Sequence, residues 1–216
     1  MRRAFWTACA LALAVPAAAG GYTPCLLDVP RQEKRSKELQ EIVKADQEAR
    51  KDWEKLSPKQ LQRAASSDDA RRQRVAQIFG EGCFKTPLDF AAAALVFQHG
   101  DTPDHFFQAF IWAKRAVELG DPRHKDLMAI AVDRYLVSTG RKQLFGSQAN
   151  RPDDRSCFCV SSVEMSFPEE RRAEHATLEK TLDQVDDLNK GRGCPRASLC
   201  DDRLAPTPAG SITGFW

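Results

Sequence analysis

Apolar residues along this chain recur with a helical period over most of its length. Between residues 31 and 56 they appear every three or four positions on a charged background, at Leu39, Ile42, Val43, Ala49, Trp53 and Leu56. This spacing predicts an amphipathic helix with one narrow buried stripe and a solvated charged face. Ser57 and Gln60 have the spacing of a capping box that opens a short helix, and Asp68 or Asp69 can cap another.

The middle of the chain predicts three helices joined by tight connections. They cover about residues 86–99, 102–119 and 121–138, and each begins with proline after threonine or aspartate and ends near a glycine. Proline at the first helical position and glycine past the last is the expected asymmetry. The first of the three is apolar on every side over residues 91–96, which is typical of a central helix. Connections of two or three residues make neighbouring helices antiparallel.

The helical pattern weakens after Gly140. Residues 141–156 are rich in polar residues and predict a long loop, and residues 157–163 predict a short extended piece. Ser166 and Glu169 have capping-box spacing and open a charged helix that ends at about Lys190. We therefore predict an all-α fold, an irregular multi-helix bundle with antiparallel helical hairpins, a long loop after the central helices and a disulfide-bonded irregular tail.

The first residues have the pattern of a secretory signal peptide. Arg2 and Arg3 precede an apolar run, and Ala17 and Ala19 form the small-residue pair before a predicted cleavage after Ala19. The run is shorter than the roughly 20 residues that a membrane span needs, and no later segment is apolar enough to supply one. We therefore predict export to the periplasm or the medium, with no transmembrane segment in the mature chain.

These patterns divide the chain into four parts. A signal peptide (1–19) is followed by an N-terminal amphipathic helical region (20–67), a helical core domain (68–190) and an irregular cysteine-containing tail (191–216). Cleavage leaves 30 basic and 30 acidic residues, because only Arg2 and Arg3 are lost from the charged residues. This balance argues against nucleic acid or an anionic membrane as the main partner, since both need a basic excess on one face.

Cleavage also leaves an even number of cysteines, which fits disulfide bonds in an oxidising compartment. The six are Cys25, Cys83, Cys157, Cys159, Cys194 and Cys200. Cys157 and Cys159 are too close in sequence for an easy mutual bridge, so we expect each to reach a distant partner, with Cys25 and Cys83 the obvious candidates. Cys194 and Cys200 flank a short loop and could close on each other. The rival interpretation is a metal site, but the spacings match no familiar zinc pattern, so we predict no metal and no cofactor.

Three polar signatures lie among the apolar residues of the core. They are Gln98-His99, Asp133-Arg134 and, after Gly140, Phe145-Gly146-Ser147-Gln148. His99 falls at the C-terminus of the central helix, where the helix dipole favours a protonated ring. His99 is therefore a candidate acid, base or ligand, and the alternative is a helix-end histidine that bonds the terminal carbonyl groups.

Arg134 is predicted to project from the apolar face of its own helix, because its neighbours at helical spacing are Leu127, Ile130 and Val137. A guanidinium in such a place needs a carboxylate, carbonyl groups or an anionic ligand. Asp133 lies about 100° away around the helix and serves a different neighbour more easily. The structural alternative is an ion-pair network of both residues that joins the helices to the loop after Gly140.

At these residues the chain resembles a bacterial family of proteins known only as a domain of unknown function. That family has a Gln-His step ending an apolar helix, an Asp-Arg step in a later helix, and a loop reading Gly-x-x-Gln-x-Tyr-Gly-Thr-Gln. Residues 140–148 match this loop, with Gln143 in place, Phe145 where the family has tyrosine and Ser147 where it has threonine. The resemblance covers about residues 70–175 and implies an all-helical domain, but it implies no reaction.

Two functions of different classes follow from these patterns. The first is a binding or interaction module of the cell envelope for a polar or anionic small ligand or an envelope protein, formed by Gln98, His99, Arg134, Gln143, Phe145, Ser147 and Gln148. The alternative is a hydrolase-type enzyme in which His99 is the general base, Asp133 orients it and Arg134 holds developing negative charge. The sequence has no nucleophile elbow, no histidine pair with metal-site spacing and no phosphate-binding glycine loop, and we therefore favour the module.

Overall fold

The computed structural model describes residues 25–51, 55–151, 157–175 and 177–216. The predicted signal peptide and its cleavage site lie outside these ranges. The helices are α1 (Val29–Glu48), α2 (Pro58–Gly80), α3 (Pro87–Phe97), α4 (Pro103–Glu118), α5 (Lys125–Ser138), α6 (Glu169–Ala173) and α7 (Thr177–Asn189). Two short strands, β1 (Ala149–Asn150) and β2 (Cys159–Val160), pair antiparallel. The predicted all-α class is confirmed, and none of the described helices has the length and apolar character that a membrane span requires.

The three central helices begin and end close to the positions that their proline and glycine residues predict. Thr86 caps α3, since its hydroxyl accepts a hydrogen bond from the N–H of Asp89, and Thr102 caps α4 in the same way. The predicted start of the third helix is displaced slightly, because Pro122 opens a 3-10 turn (Pro122–His124) and α5 begins after it. Local capping chemistry therefore sets the boundaries of this part of the bundle.

The two N-terminal helices differ from their predicted bounds. α1 begins at Val29, capped by Asp28, and ends well before residue 56. The capping box of Ser57 is confirmed, but α2 then runs without a break where two helices were predicted. Asp68 lies inside α2, and its carboxylate pairs with Arg50 and Arg71 instead of capping a new helix. The ion pair of Asp68 with Arg50, which lies just after α1, therefore holds the aspartate inside α2 although its local sequence resembles a helix cap.

The predicted charged helix near the C-terminus is divided into two pieces, α6 and α7. The predicted capping box at its start is wrong, because the Ser166 hydroxyl donates to Glu164 and the residue before α6 is Pro168. At the start of α7 the Thr177 hydroxyl donates to the main-chain oxygen of Phe145 at 3.0 Å. The break between the two helices thus docks the second one onto the loop that follows α5.

α3 is the central helix, as predicted. Its alanines are buried, with Ala93 and Ala94 fully enclosed, and their small side chains allow neighbouring helices to approach closely. α4 packs against both α3 and α5, and α1 packs against α3. α3 and α5 run in the same direction, since each is antiparallel to α4. α1 also runs in this direction, because Ser36 contacts Asp89 at the start of α3 and Asp46 contacts His99 just past its end.

The six cysteines of the described residues all form disulfide bonds, as predicted, and Cys157 and Cys159 each reach a distant partner, but the suggested partners and the suggested Cys194–Cys200 bond are wrong. The bonds are Cys25–Cys83, Cys157–Cys194 and Cys159–Cys200. Main-chain hydrogen bonds lay the tail beside β2, from Val160 N to Ser198 O at 3.0 Å and from Cys200 N to Val160 O at 2.7 Å. This pairing places the last two cysteines opposite Cys157 and Cys159. The register of the tail against β2 therefore determines which cysteines pair. The spacing of the cysteines in the sequence carries no information about this register.

Candidate functional site

The loop after Gly140 is held by the carboxylate of Asp133, which is fully buried on α5. Oδ1 accepts hydrogen bonds from the N–H groups of Leu144 at 2.8 Å and Phe145 at 3.0 Å. Oδ2 accepts from the N–H and the hydroxyl of Ser147, both at 2.9 Å. Burial raises the pKa of the Asp133 carboxyl, and the donors of the loop act in the opposite direction. Asp133 is thus the anchor of the loop.

Two predicted binding residues, Gln143 and Phe145, are buried structural residues. The Gln143 amide donates to the main-chain oxygens of Gln148 at 3.1 Å and Ser161 at 2.6 Å, and accepts from the N–H of Gln148 at 2.8 Å. The ring of Phe145 packs on Phe167 and His175, with centroid distances of 5.1 Å and 4.6 Å. Both side chains are enclosed, and they fix the loop's shape instead of facing a ligand.

Gly146 occupies a position that only glycine tolerates, because of its backbone angle and because of a close neighbour. Its φ is +86°, and a Cβ atom there would lie 2.7 Å from Cδ1 of Leu178. A side chain at this position would therefore be strained and would clash with Leu178. Gly146 lets the chain turn so that Ser147 faces Asp133 and Gln148 faces α5.

Arg134 lies where α3, α5 and the loop meet. Nη1 donates to the main-chain oxygen of Gln98 at 2.5 Å, Nε donates to Oε1 of Gln148 at 3.3 Å, and the guanidinium lies 5.6 Å from the ring centroid of Phe106. Nη2 has no hydrogen-bond partner in the described part of the chain, and no carboxylate there lies within ion-pair distance. Burial lowers the pKa of Arg134, and the positive charge of Arg50 lowers it further.

The predicted network of Asp133 and Arg134 is present, but it is not made of ion pairs. Asp133 and Arg134 do join α5 to the loop, but through N–H, hydroxyl, carbonyl and amide groups, not through oppositely charged partners. Loop N–H and hydroxyl groups satisfy the aspartate, whereas Nη2 of the arginine has no partner among the described residues. The two neighbours thus differ in role, since Asp133 is enclosed and Arg134 is half-buried.

His99 is oriented by Asp46, not by Asp133. Its Nδ1 lies 2.9 Å from Oδ2 of Asp46 on α1, and the Asp46 side chain is only 1% exposed. Nε2 of His99 has no hydrogen-bond partner among the described residues. Asp46 was not predicted because it lies 53 positions away in the sequence. A signal existed, since Asp46 continues the apolar stripe of α1 at helical spacing from Leu39 and Val43.

Further arginines surround this pair. The Arg50 guanidinium lies 3.0 Å from carboxylate oxygens of both Asp46 and Asp68, and Arg71 also pairs with Asp68. Arg72 donates to the main-chain oxygen of His99 at 3.4 Å. We call the following residues the basic cluster: Asp46, Arg50, Asp68, Arg71, Arg72, His99 and Arg134. Arg72 also pairs with the exposed Asp69 at 3.7 Å and Asp101 at 3.6 Å, so Arg134 is the one arginine of the cluster without a carboxylate partner in the described part of the chain.

Gln98 and Gln148 join the basic cluster to its surroundings. The main-chain oxygen of Gln98 accepts from Arg134, and the side chain of Gln148 bridges Arg134 and Ser147. Of the predicted binding residues, the structure therefore brings together Gln98, His99, Arg134 and Gln148. Ser147, Gln143 and Phe145 support them from within the loop.

Comparisons of the chain with family models, with curated proteins and with solved structures give no significant match. The resemblance to the helical domain family remains a prediction from the motif residues. The functional argument therefore rests on the geometry and charge of the basic cluster.

Proposed function

We propose that the protein is an exported binding module and that its basic cluster holds an oxyanion group of a small ligand. The observation that carries the proposal is the Arg134 guanidinium, which is half-buried beside Arg50 and has no carboxylate partner among the described residues. Arg50 is paired with Asp46 and Asp68, so the charge that lacks a partner is that of Arg134, which loses hydration on burial. A bound anion would compensate this loss.

The donor that remains open suits such a ligand. Nη2 of Arg134 lacks a hydrogen-bond partner within the described ranges, and the bonds to Gln98 and Gln148 fix the orientation of the guanidinium. A guanidinium presents planar donors that match a carboxylate or a phosphate group. The site would therefore accept an anionic group from a partly desolvated position, where the interaction is stronger than at an exposed surface.

Export is part of the proposal. Arg2 and Arg3, the apolar run and the Ala17-x-Ala19 pair support a cleaved signal peptide. Three disulfide bonds in the structure fit an oxidising compartment. The ligand would accordingly be a molecule of the periplasm or the extracellular medium.

Arg134→Met is expected to weaken oxyanion binding at least about tenfold, equivalent to about 1.4 kcal/mol. The measurement is an NMR titration of the chain from residue 20 with acetate and with inorganic phosphate at constant ionic strength. Because Arg134 bonds only carbonyl-type acceptors and a ring, the same substitution should lower the free energy of unfolding by no more than about 2 kcal/mol.

The matched control is Arg115→Met on α4, since the Arg115 side chain is 51% exposed and, among the described residues, forms an ion pair with Glu118 alone. This control should bind both anions like the wild type. Arg134→Lys keeps the charge but loses the planar fork, so we expect an intermediate affinity. Wild-type protein that binds neither anion, or an Arg134→Met protein that binds them unchanged, would contradict the proposal.

The pairing of Asp46 with His99 supports a second candidate function, a hydrolase-type enzyme. A buried carboxylate on Nδ1 orients the ring so that Nε2 can take a proton from water or a hydroxyl group. Asp46 then has the role that the sequence assigned to Asp133. His99→Gln should abolish any hydrolysis of activated carboxylic and phosphoric esters, and a wild-type protein inactive on such a panel would count against this candidate.

A further inference from the structure

A groove runs along the bundle beside the basic cluster. It has a volume of about 310 Å³ and lies between α1, α3 and α5, with Val43, Leu88, Leu95, Leu127 and Ile130 in its walls. This volume falls within the range of about 300 to 1,000 Å³ that small-molecule pockets occupy. Leu88 at one end is 47% exposed, so this end opens to solvent.

The groove leads toward the basic cluster because its three helices run in the same direction. Along α3 the wall extends from Leu88 to Gln98, a length of about 15 Å at the helical rise. Arg134 lies one turn beyond Ile130 on α5, and His99 directly follows Gln98. On α1, Asp46 lies one turn beyond Val43. All three helices thus change from apolar to polar at the same end of the groove.

Polar atoms without partners also lie in the groove wall. Gln40 Nε2, Gln98 Oε1 and His124 Nε2 are buried and have no hydrogen-bond partner in the described part of the chain. His124 Nε2 lies 3.4 Å from a carboxylate oxygen of Asp121, but without hydrogen-bond geometry. Unpaired buried polar atoms are costly, and a molecule that fills the groove can supply their partners. They distinguish a binding groove from an uncovered face of the core.

We infer that the groove and the basic cluster form one site for an amphiphilic carboxylate, with its aliphatic chain in the groove and its carboxylate at Arg134. The inference rests on the proposed function for the anionic group and adds the class of ligand. The apolar walls suit a hydrocarbon chain, and the Arg134 guanidinium beyond the polar end of the groove, which has no carboxylate partner among the described residues, suits a carboxylate. A groove of this volume fits a small molecule better than a protein surface, since stable protein interfaces bury more than about 1,000 Å².

The test is a calorimetric titration with acetate, butanoate, hexanoate, octanoate and decanoate below their micelle concentrations. The Kd should fall by up to about fourfold for each added methylene until the chain fills the groove. Octylammonium, which has the opposite charge, should bind at least about tenfold more weakly than octanoate. Arg134→Met should weaken every carboxylate of the series by a similar factor.

A groove variant separates the two parts of the site. Leu127→Ser should weaken octanoate and decanoate several-fold and leave acetate unchanged, because only the long chains reach Leu127. Its matched control is Ile111→Ser on α4, where Ile111 is 41% exposed and lies outside this groove. Thermal unfolding of each variant checks that it is folded under the conditions of the titration.

The outcomes distinguish the inference from the proposed function. Short carboxylates that bind without any gain on lengthening would overturn the groove assignment and leave the proposed function in place. Affinity that rises with chain length equally for octylammonium and octanoate, unaffected by Arg134→Met, would overturn the anion site. Absence of binding by the whole series and by inorganic phosphate would overturn both. A dimer that buries Leu88 and Leu127 and binds none of the carboxylates would identify the groove as an interface between two copies of the chain and overturn the inference.

Discussion

Asp133→Asn is expected to lower the free energy of unfolding by about 3 kcal/mol, because the buried carboxylate accepts hydrogen bonds at both oxygens. Asparagine has nearly the same shape but replaces one oxygen by an NH₂ donor. In one orientation this donor faces the N–H groups of Leu144 and Phe145, and in the other it faces the donors of Ser147. At least one set of loop donors is then left without an acceptor.

The measurement for Asp133→Asn is urea unfolding followed by circular dichroism. A loss of about 3 kcal/mol corresponds to a decrease of about 6 to 12 °C in Tm for a chain of this length. Asp126→Asn on the same helix is the matched control, since the Asp126 side chain is 57% exposed, and its effect should stay within about 0.5 kcal/mol. An effect this small for Asp133→Asn would show that the carboxylate is not the anchor of the loop.

The same substitution also connects stability with binding. Ser147 is held by Asp133, and the next residue, Gln148, contacts Arg134 at 3.3 Å and the carbonyl group of Ile130 at 3.5 Å. Release of Ser147 would therefore loosen a contact that orients the Arg134 guanidinium. We expect Asp133→Asn to weaken octanoate binding less than Arg134→Met does, because the charge remains while its orientation is lost.

The features predicted correctly from the sequence are those with local causes. Thr86 and Thr102 cap helices through hydrogen bonds to residues three positions later, so their signal lies within one turn. The burial of α3 follows from its own composition. In each case the residues that decide the structure are neighbours in the chain.

The features missed depend on residues that are distant in the sequence. Asp46 continues the apolar stripe of α1, but its partner His99 lies 53 positions away in the sequence. Asp68 resembles a helix cap until the turn after α1 supplies Arg50. The disulfide pairing follows from the tail lying beside β2, which cysteine spacing does not encode. The partners of these residues are therefore set by the tertiary fold.

Arg172→Met is expected to lower the free energy of unfolding by about 3 kcal/mol, although the sequence places Arg172 in a charged helix start. The side chain is buried, and its Nε donates to the main-chain oxygen of Leu144 at 2.9 Å. Nη2 donates to the main-chain oxygens of Glu164 at 2.9 Å and Phe167 at 3.2 Å. Methionine fills similar apolar space but leaves these buried carbonyl groups without a donor.

Urea unfolding measures this effect, with Arg115→Met as the control for loss of an exposed arginine. The control should change stability by less than about 0.5 kcal/mol. An equally small change for Arg172→Met would mean that water or other donors replace the guanidinium, and that Arg172 does not hold the loop.

Asp133 and Arg172 act on the same residue from opposite sides. The N–H of Leu144 is bound by Asp133 and its carbonyl group by Arg172, so the two side chains clamp one residue of the loop. Once either bond is broken, Leu144 can shift, and the other bond then contributes less to the free energy of unfolding. We therefore expect the double variant Asp133→Asn/Arg172→Met to lose less stability than the sum of the single variants, by about 0.5 to 3 kcal/mol. Strict additivity would show that the two residues stabilise separate parts of the fold.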